Sequence, residues 1–280
     1  MDQRILLSGL GQPNYLMRIT NEALALDYAK VEVEILSFIR KVVKGAKANG
    51  AVIGLSGGID SSVVGSLCVR ALGKKKVVGI MMPASHTPLR DVEDAKALSK
   101  DWGIKSYKVD IDPISSAFLR SMPLEDGGRV AGANVKARTR MVINYYFANA
   151  LGMVVAGTGD RSEDMIGYFT KFGDGGVDFL PIAHLYKTQV RQLGAHLGLP
   201  EDIVRKPASP QLWPGHKATD EIPIEYEKLD LVLHGLFDLK LRPADVSKRC
   251  GVALETIELV LRKHRASAHK RAYPPMLRGW

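Results

Sequence analysis

The sequence predicts an α/β fold, a Rossmann-like three-layer α/β/α arrangement with a mainly parallel sheet and helical extensions at both ends. Three observations carry this expectation. Short apolar runs alternate with amphipathic stretches over residues 51–200, glycine-rich segments follow the first and last of those runs, and from Ile224 onward the chain reads as helices alone. Parallel strands need helical crossovers, so alternation of this kind implies a sheet covered on both faces.

Residues 22–48 place Leu24, Tyr28, Val31, Ile35, Phe38, Val42 and Val43 near helical spacing, with Glu and Lys between them, which predicts one long amphipathic helix. Its pattern leaves open whether it covers the core or a partner subunit. Ala51 to Leu55 follows as a strand, then Val63, Val64, Leu67 and Ala71 at helical spacing. The alternation continues with a strand over Val77 to Met81, ended by Pro83, and a helix over Asp91 to Trp102. A strand over Ile104 to Val109, a helix over Asn134 to Leu151 and a strand over Met153 to Ala156 complete it. Two stretches interrupt the order, 157–176 and 205–223. Both follow the last strand signals, where an open parallel sheet places its binding crevice, so both are candidate ligand loops or lids. The whole chain reads as one domain: helix 22–48, core 51–200, helical part 224–280.

With 280 residues, 46% of them hydrophobic, the chain can bury a full core. No leader is legible at Met1 to Arg4, and no run reaches the roughly 18 apolar residues of a membrane span, so a cytoplasmic protein without membrane contact is expected. Cys68 and Cys250 lie in no ligand or disulfide spacing. The net charge of +9 asks for polyanionic partners without choosing among nucleic acid, membrane and phosphate-bearing small molecules.

The most informative string is Leu55-Ser56-Gly57-Gly58-Ile59-Asp60-Ser61-Ser62. Its two glycines stand where the backbone must turn sharply after a strand, and its hydroxyls where a helix begins, whose free N–H groups would hold a pyrophosphate. It is neither GxxxxGK[ST] nor GxGxxG. Gly157-Thr158-Gly159 starts a GxGxxG, but Ser162 stands at its third glycine. Capping of the helix by Asp60 or Ser61 would explain one residue of the string and leave the glycine pair unexplained.

SGGIDSS resembles the PP-loop of the ATP pyrophosphatases, which adenylate a substrate and release pyrophosphate. Residues 134–141 (NVKARTRM), 157–163 (GTGDRSE), 168–176 (YFTKFGDGG), Leu180-Pro181, 186–191 (YKTQVR) and 269–271 (HKR) resemble, in order and spacing, the ammonia-dependent NAD synthetases. The resemblance implies attack of the nicotinate carboxylate of deamido-NAD on the α phosphate of ATP, followed by displacement of AMP by ammonia. It implies ATP contacts at Gly54, Leu55, Ser56, Gly57, Gly58, Ile59, Asp60, Ser61, Thr158, Lys187 and Ser209, the last standing where threonine is more usual. Asp60 and Glu163 match the magnesium ligands; with Lys187, a point charge for phosphate, they form the catalytic set. Arg138, Lys171, Asp178, His269 and Lys270 match positions that hold deamido-NAD. A homodimer with the first helix near its interface is implied as well. Glutamine-dependent relatives carry an added amidase domain, for which the stretch before residue 22 has no room, so free ammonia is the expected donor.

Other readings compete. Pro243 to Arg271 has the helix, Gly turn, helix shape of a helix-turn-helix with a basic exit, which would suit a DNA-binding, nucleotide-sensing regulator. Burial of Ile257, Val260 and Leu261, with Thr256 and Arg262 sharing no face, would exclude a recognition helix. A PP-loop ligase acting on tRNA or another nucleotide would leave NVKARTRM and FTKFGDGG without a role. A non-catalytic sensor would not need Asp60, Glu163 and Lys187. No nucleic-acid partner is therefore expected.

Overall fold

The computed structural model describes residues 18–124, 127–208, 213, 221–222 and 224–277. Four strands, β1 (Ala51–Gly54), β2 (Val77–Met81), β3 (Lys105–Lys108) and β4 (Val154–Ala156), form one parallel sheet in the order β3-β2-β1-β4. Ala51, Val52, Ile53 and Gly54 pair with Val77, Val78, Gly79 and Ile80 on one side, and Ala51 to Ile53 pair with Val154 to Ala156 on the other. The strands are short because the sheet is buried on both faces. Ala51 and Ile53 point into one apolar cluster and Val52 into another, so alternate side chains of one strand serve two cores.

The first cluster is roofed by α1 (Tyr28–Gly45), α2 (Ile59–Leu72) and α7 (Lys187–His196), through Ile35, Ile39, Val63, Leu67, Val190 and Leu193. Across the sheet, α5 (Gly128–Leu151) covers Val52, Val78 and Val155 with Ile143 and Ala148. Helices α3 (Leu89–Asp101) and α4 (Asp112–Arg120) complete the crossovers, and α6 (Arg161–Ile166) and α8 (Glu201–Val204) are short turns near the crevice.

The helix expected over 22–48 is broken. A 3-10 turn at Asn21–Leu24 is followed by extended backbone at Ala25, and α1 begins only at Tyr28, where the Asp27 carboxylate accepts from Lys30 N at 3.2 Å. An Asp followed by a free N–H three residues on favours a helix start over helix continuation. In the other direction, α5 begins six residues before Asn134, at Gly128, because the glycines at 128 and 132 sit in the helix instead of ending it. The 157–176 stretch, expected as a loop, contains α6 and a series of turns. Of the 205–223 stretch, only residues 205–208, 213, 221 and 222 are among those described.

The C-terminal helices α9 (Tyr226–Leu233), α10 (Pro243–Cys250) and α11 (Leu254–Ala266) build a third apolar cluster with Ile19, Leu24 and Ile166. Ile257 and Val260 of α11 are fully buried there and Leu261 packs against it. The basic exit is turned inward: Arg271 Nη1 donates to Asp164 O at 2.8 Å, and Lys270 Nζ to Gly167 O and Phe169 O at 2.8 and 2.7 Å. The helix pair is a packing unit, the cations Lys270 and Arg271 beyond it hold the protein's own carbonyls, and nothing favours a DNA-recognition role. No helix among the described residues is long and apolar enough to cross a membrane.

Candidate active site

The sheet order reverses direction at β1, since β2 and β3 continue to one side and β4 lies on the other. Loops leaving the carboxyl ends of β1 and β4 must diverge there and leave a crevice between them. A cavity of about 440 Å³ opens at that point, bordered by Gly54, Ser56, Gly58, Asp60, Thr158 and Glu163 among others.

On the β1 side, Gly57 has φ +76° and lies so close to α3 that a Cβ would sit 2.1 Å from Asp91 O. Only glycine fits both demands. Gly58 occupies the N-cap of α2, with no side chain to cap the helix. The hydroxyls of the loop brace its backbone. Ser61 Oγ and Ser62 Oγ donate to Gly58 O at 3.1 and 2.8 Å, and Ser61 Oγ accepts from Ser56 N at 3.2 Å. What remains for a ligand is the amide face of the first turn, where the helix dipole favours an anion. Lys206, to which the sequence reading gave no role, borders the cavity and clamps this loop: its Nζ donates to Gly57 O at 2.8 Å, Asp91 Oδ1 at 2.7 Å and Asp94 Oδ2 at 2.5 Å.

On the β4 side, α6 and α7 begin beside each other. Lys187, the first residue of α7, extends its side chain beneath the cavity, where its ammonium is wholly buried. It meets Asp60 Oδ2 at 2.7 Å, Asp160 Oδ2 at 2.9 Å and Glu163 Oε1 at 2.9 Å. The set expected from sequence, Asp60, Glu163 and Lys187, is thus brought together, with the lysine on carboxylates. Asp160 is the member the sequence reading missed. It caps α6 by accepting from Glu163 N at 2.8 Å, and the D-x-x-E spacing of Asp160 and Glu163 is a capping signature that could have revealed it.

Burial and the crowding of like charges set the protonation of this group. Burial pushes the Glu163 carboxyl up to about 8, with Lys187 pulling down and Asp160 and Asp60 pushing up. Burial likewise raises Asp160. For Lys187, burial acts to lower the pKa, but Asp160, Asp60 and Glu163 outweigh it and hold the ammonium well above its usual value. A hydrogen-bonded relay fixes the lysine backbone: Lys187 N donates to Ser162 Oγ at 2.9 Å, Ser162 Oγ donates to Asp230 Oδ1 at 2.5 Å, and Thr188 N donates to Asp230 Oδ2 at 2.8 Å.

The donor chemistry here fits a hard cation. Asp60 Oδ1 is buried with no hydrogen-bond partner among the described residues, and Asp60 and Glu163 offer carboxylate oxygens, which a hard cation prefers. No group of three or more His, Cys, Asp or Glu side chains among the described residues could hold a metal ion by itself. A cation at Asp60 and Glu163 would therefore need further oxygens from a phosphate ligand or water.

The expected acceptor residues divide. Lys270 borders the cavity. Arg138, Lys171 and His269 form a chain beside it, with Arg138 Nη2 donating to Lys171 O at 3.3 Å and Lys171 Nζ to His269 O at 2.7 Å. Asp178 stands apart: its carboxylate accepts from Val155 N at 2.7 Å and from Tyr145 Oη at 3.0 Å, satisfying the edge of β4. Ser209 lies outside the described residues. Asp174 and Arg140, which the sequence reading left without roles, also border the cavity.

A switch-point crevice bordered by an uncapped helix start and by paired carboxylates defines an α/β protein whose cavity offers seats for both an anion and a cation. A model of the NAD synthase family matches residues 31–274. The chain is 50% identical over 261 residues to the NH3-dependent NAD+ synthetase of Hyperthermus butylicus, covering 92% of this chain and 94% of that one. It is 45% identical over 244 residues to that of Methanocaldococcus jannaschii, covering 86% and 94%. Among solved structures it is similar to NMN synthetase from Francisella tularensis, with TM-score 0.79, 34% identity and 90% and 99% coverage. It is also similar to the NH3-dependent NAD synthetase from Campylobacter jejuni, with TM-score 0.77, 29% identity and 91% and 100% coverage. The chain belongs to the NAD synthase family.

Lys187→Met keeps the length of the side chain and removes its charge, leaving three carboxylates without their cation. Urea denaturation near pH 8 should show a loss of about 3–5 kcal/mol, shrinking at lower pH as the carboxyls protonate. An unchanged midpoint would contradict the geometry described.

Proposed function

We propose that the protein is an ammonia-dependent NAD synthetase, an amide-forming ligase that converts deamido-NAD, ATP and ammonia to NAD, AMP and pyrophosphate. The observation that carries this reading is that the Ser56–Ser61 loop and Glu163 border one cavity, with Asp60 of that loop and Glu163 joined beneath it through Lys187. A carboxylate oxygen of the nicotinate attacks the α phosphorus, the bond to the bridging oxygen breaks, and pyrophosphate leaves. Ammonia then attacks the acyl carbon, AMP departs with the carboxylate oxygen, and the nitrogen loses its extra proton to complete the amide.

Neither step requires a protein nucleophile; both require reactants held in line and charge offset on the leaving group. The α2 amides would hold phosphate oxygens, and Thr158, on the β4 loop, faces the same space. Magnesium, held by Asp60 and Glu163 together with phosphate oxygens, would supply the charge cancellation that the pyrophosphate needs. Lys187 keeps the two carboxylates from repelling one another before the nucleotide arrives. Lys270, with Arg138, Lys171 and His269 beside it, offers a cationic wall for the acceptor dinucleotide.

We further propose that the protein is a homodimer. The first helix exposes Val33 and Phe38, but a larger apolar face lies on α4 and α5, where Ile114, Phe118, Leu119, Val142 and Tyr146 are all exposed. Exposed apolar side chains on two packed helices suit burial against a second copy.

Incubation with ATP, magnesium, ammonium and deamido-NAD should give NAD and AMP in equal amounts, with pyrophosphate visible by phosphorus NMR. Appearance of ADP and phosphate would overturn the proposal, and preferential amidation of nicotinate mononucleotide would move the assignment toward NMN synthesis. Sedimentation should give the mass of two chains, reduced to one by Tyr146→Glu; a monomeric wild type would contradict the dimer.

A further inference from the structure

Tyr226, the first residue of α9, lies beside Lys187, whose ammonium is 5.2 Å from its ring centroid. The residue is only 4% exposed, yet it borders the same cavity as Ser56, Gly58 and Asp60. Its hydroxyl is buried and has no hydrogen-bond partner among the described residues. The neighbouring Asp60 Oδ1 shares that condition. A buried hydroxyl left unpaired costs free energy that phenylalanine would avoid while filling the same space and presenting the same ring face to the ammonium. Packing therefore accounts for the ring and not for the oxygen.

We infer that the Tyr226 hydroxyl is a nucleotide-binding group, donating a hydrogen bond to a phosphate oxygen in the pyrophosphate part of ATP. The inference rests on the proposed seat of the ATP phosphates at the Ser56–Ser61 loop. Burial, reinforced by the negative charge of Glu163, raises the phenol far above its ordinary pKa, so the group keeps its proton beside an anion and acts as a donor. The groups around it supply the reason for choosing phosphate as the acceptor: the Lys187 ammonium lies against the ring, and the uncapped start of α2 borders the same cavity. Those groups favour anionic oxygen over an adenine edge or a ribose hydroxyl.

Tyr226→Phe removes the one oxygen. The comparison with wild type needs the KM of ATP, the inhibition constant of magnesium pyrophosphate, the KM of deamido-NAD and the melting temperature of the ligand-free protein. The KM of ATP and the pyrophosphate constant should both rise about tenfold, the scale of one hydrogen bond to a charged acceptor. The KM of deamido-NAD should be unchanged, and the ligand-free melting temperature unchanged or higher. Unchanged ATP and pyrophosphate constants would overturn the inference, as would a lower ligand-free melting temperature, which would mean that the hydroxyl serves the fold. A wild type that forms no AMP and pyrophosphate would instead overturn the ligase reading beneath it.

Discussion

Burying the Lys187 ammonium among Asp60, Asp160 and Glu163 ties three helices together at one atom, because Asp60 comes from α2, Asp160 and Glu163 from the start of α6, and Lys187 from the start of α7. An isolated buried charge of either sign would be strongly unfavourable, so each partner is tolerable only while the others are in place. If all four groups ionise, two negative charges remain uncancelled. The protein holds part of that excess by keeping Glu163 hard to ionise. The carboxylate cluster therefore favours added positive charge, while the uncapped start of α2, which borders the same cavity, favours negative charge. A triphosphate bridged by a divalent cation answers both at once.

The same arrangement explains why the surrounding parts are rigid. Gly57 presses against the Asp91 carbonyl, Lys206 clamps the Gly57 carbonyl, and Ser61 and Ser62 turn their hydroxyls onto the Gly58 carbonyl. In a trans peptide the carbonyl and the following N–H point in opposite directions. Holding the Gly57 carbonyl against Lys206 therefore aims the Gly58 N–H the other way, toward Ser56 Oγ, at 3.3 Å. Behind Lys187, the relay through Ser162 to Asp230 gives the lysine backbone a fixed origin. Burial raises the Asp230 carboxyl to about 7, so this relay is itself anchored by a group reluctant to ionise.

Much of this was legible in the sequence, and the exceptions have physical reasons. Strands β1, β2 and β4 declared themselves because burial on both faces makes their residues apolar, whereas the edge strand β3, Lys105–Lys108, is polar and half exposed; the order of strand, glycine loop and helix marked the loop at Ser56. The break before α1 was hidden because the apolar spacing runs through it, while a single capping aspartate decides the start. Asp60, Glu163 and Lys187 could be named from motif resemblance, but not their mutual contact, since Lys187 lies 127 residues from Asp60 along the chain. Lys206 and Tyr226 carried no local signal at all: one resembles any loop lysine, the other any apolar residue opening a helix. The basic tail shows its charge in the sequence but not its contacts: Lys270 and Arg271 donate to carbonyls of the segment around α6, and Lys270 also borders the cavity.

If magnesium sits as proposed, the carboxylate cluster resists ionisation until that cation completes it. The most direct measurement is a calorimetric titration of magnesium into the complex with a non-hydrolysable ATP analogue between pH 6 and pH 9, in wild type and Glu163→Gln. Because Glu163 is raised to about 8, magnesium should displace a proton below that pH, so wild-type affinity should climb as pH rises and level off above it. Glu163→Gln should bind more weakly and lose that part of the climb. Equal pH dependence in the two proteins, or a wild-type affinity that does not change over the range, would contradict the account.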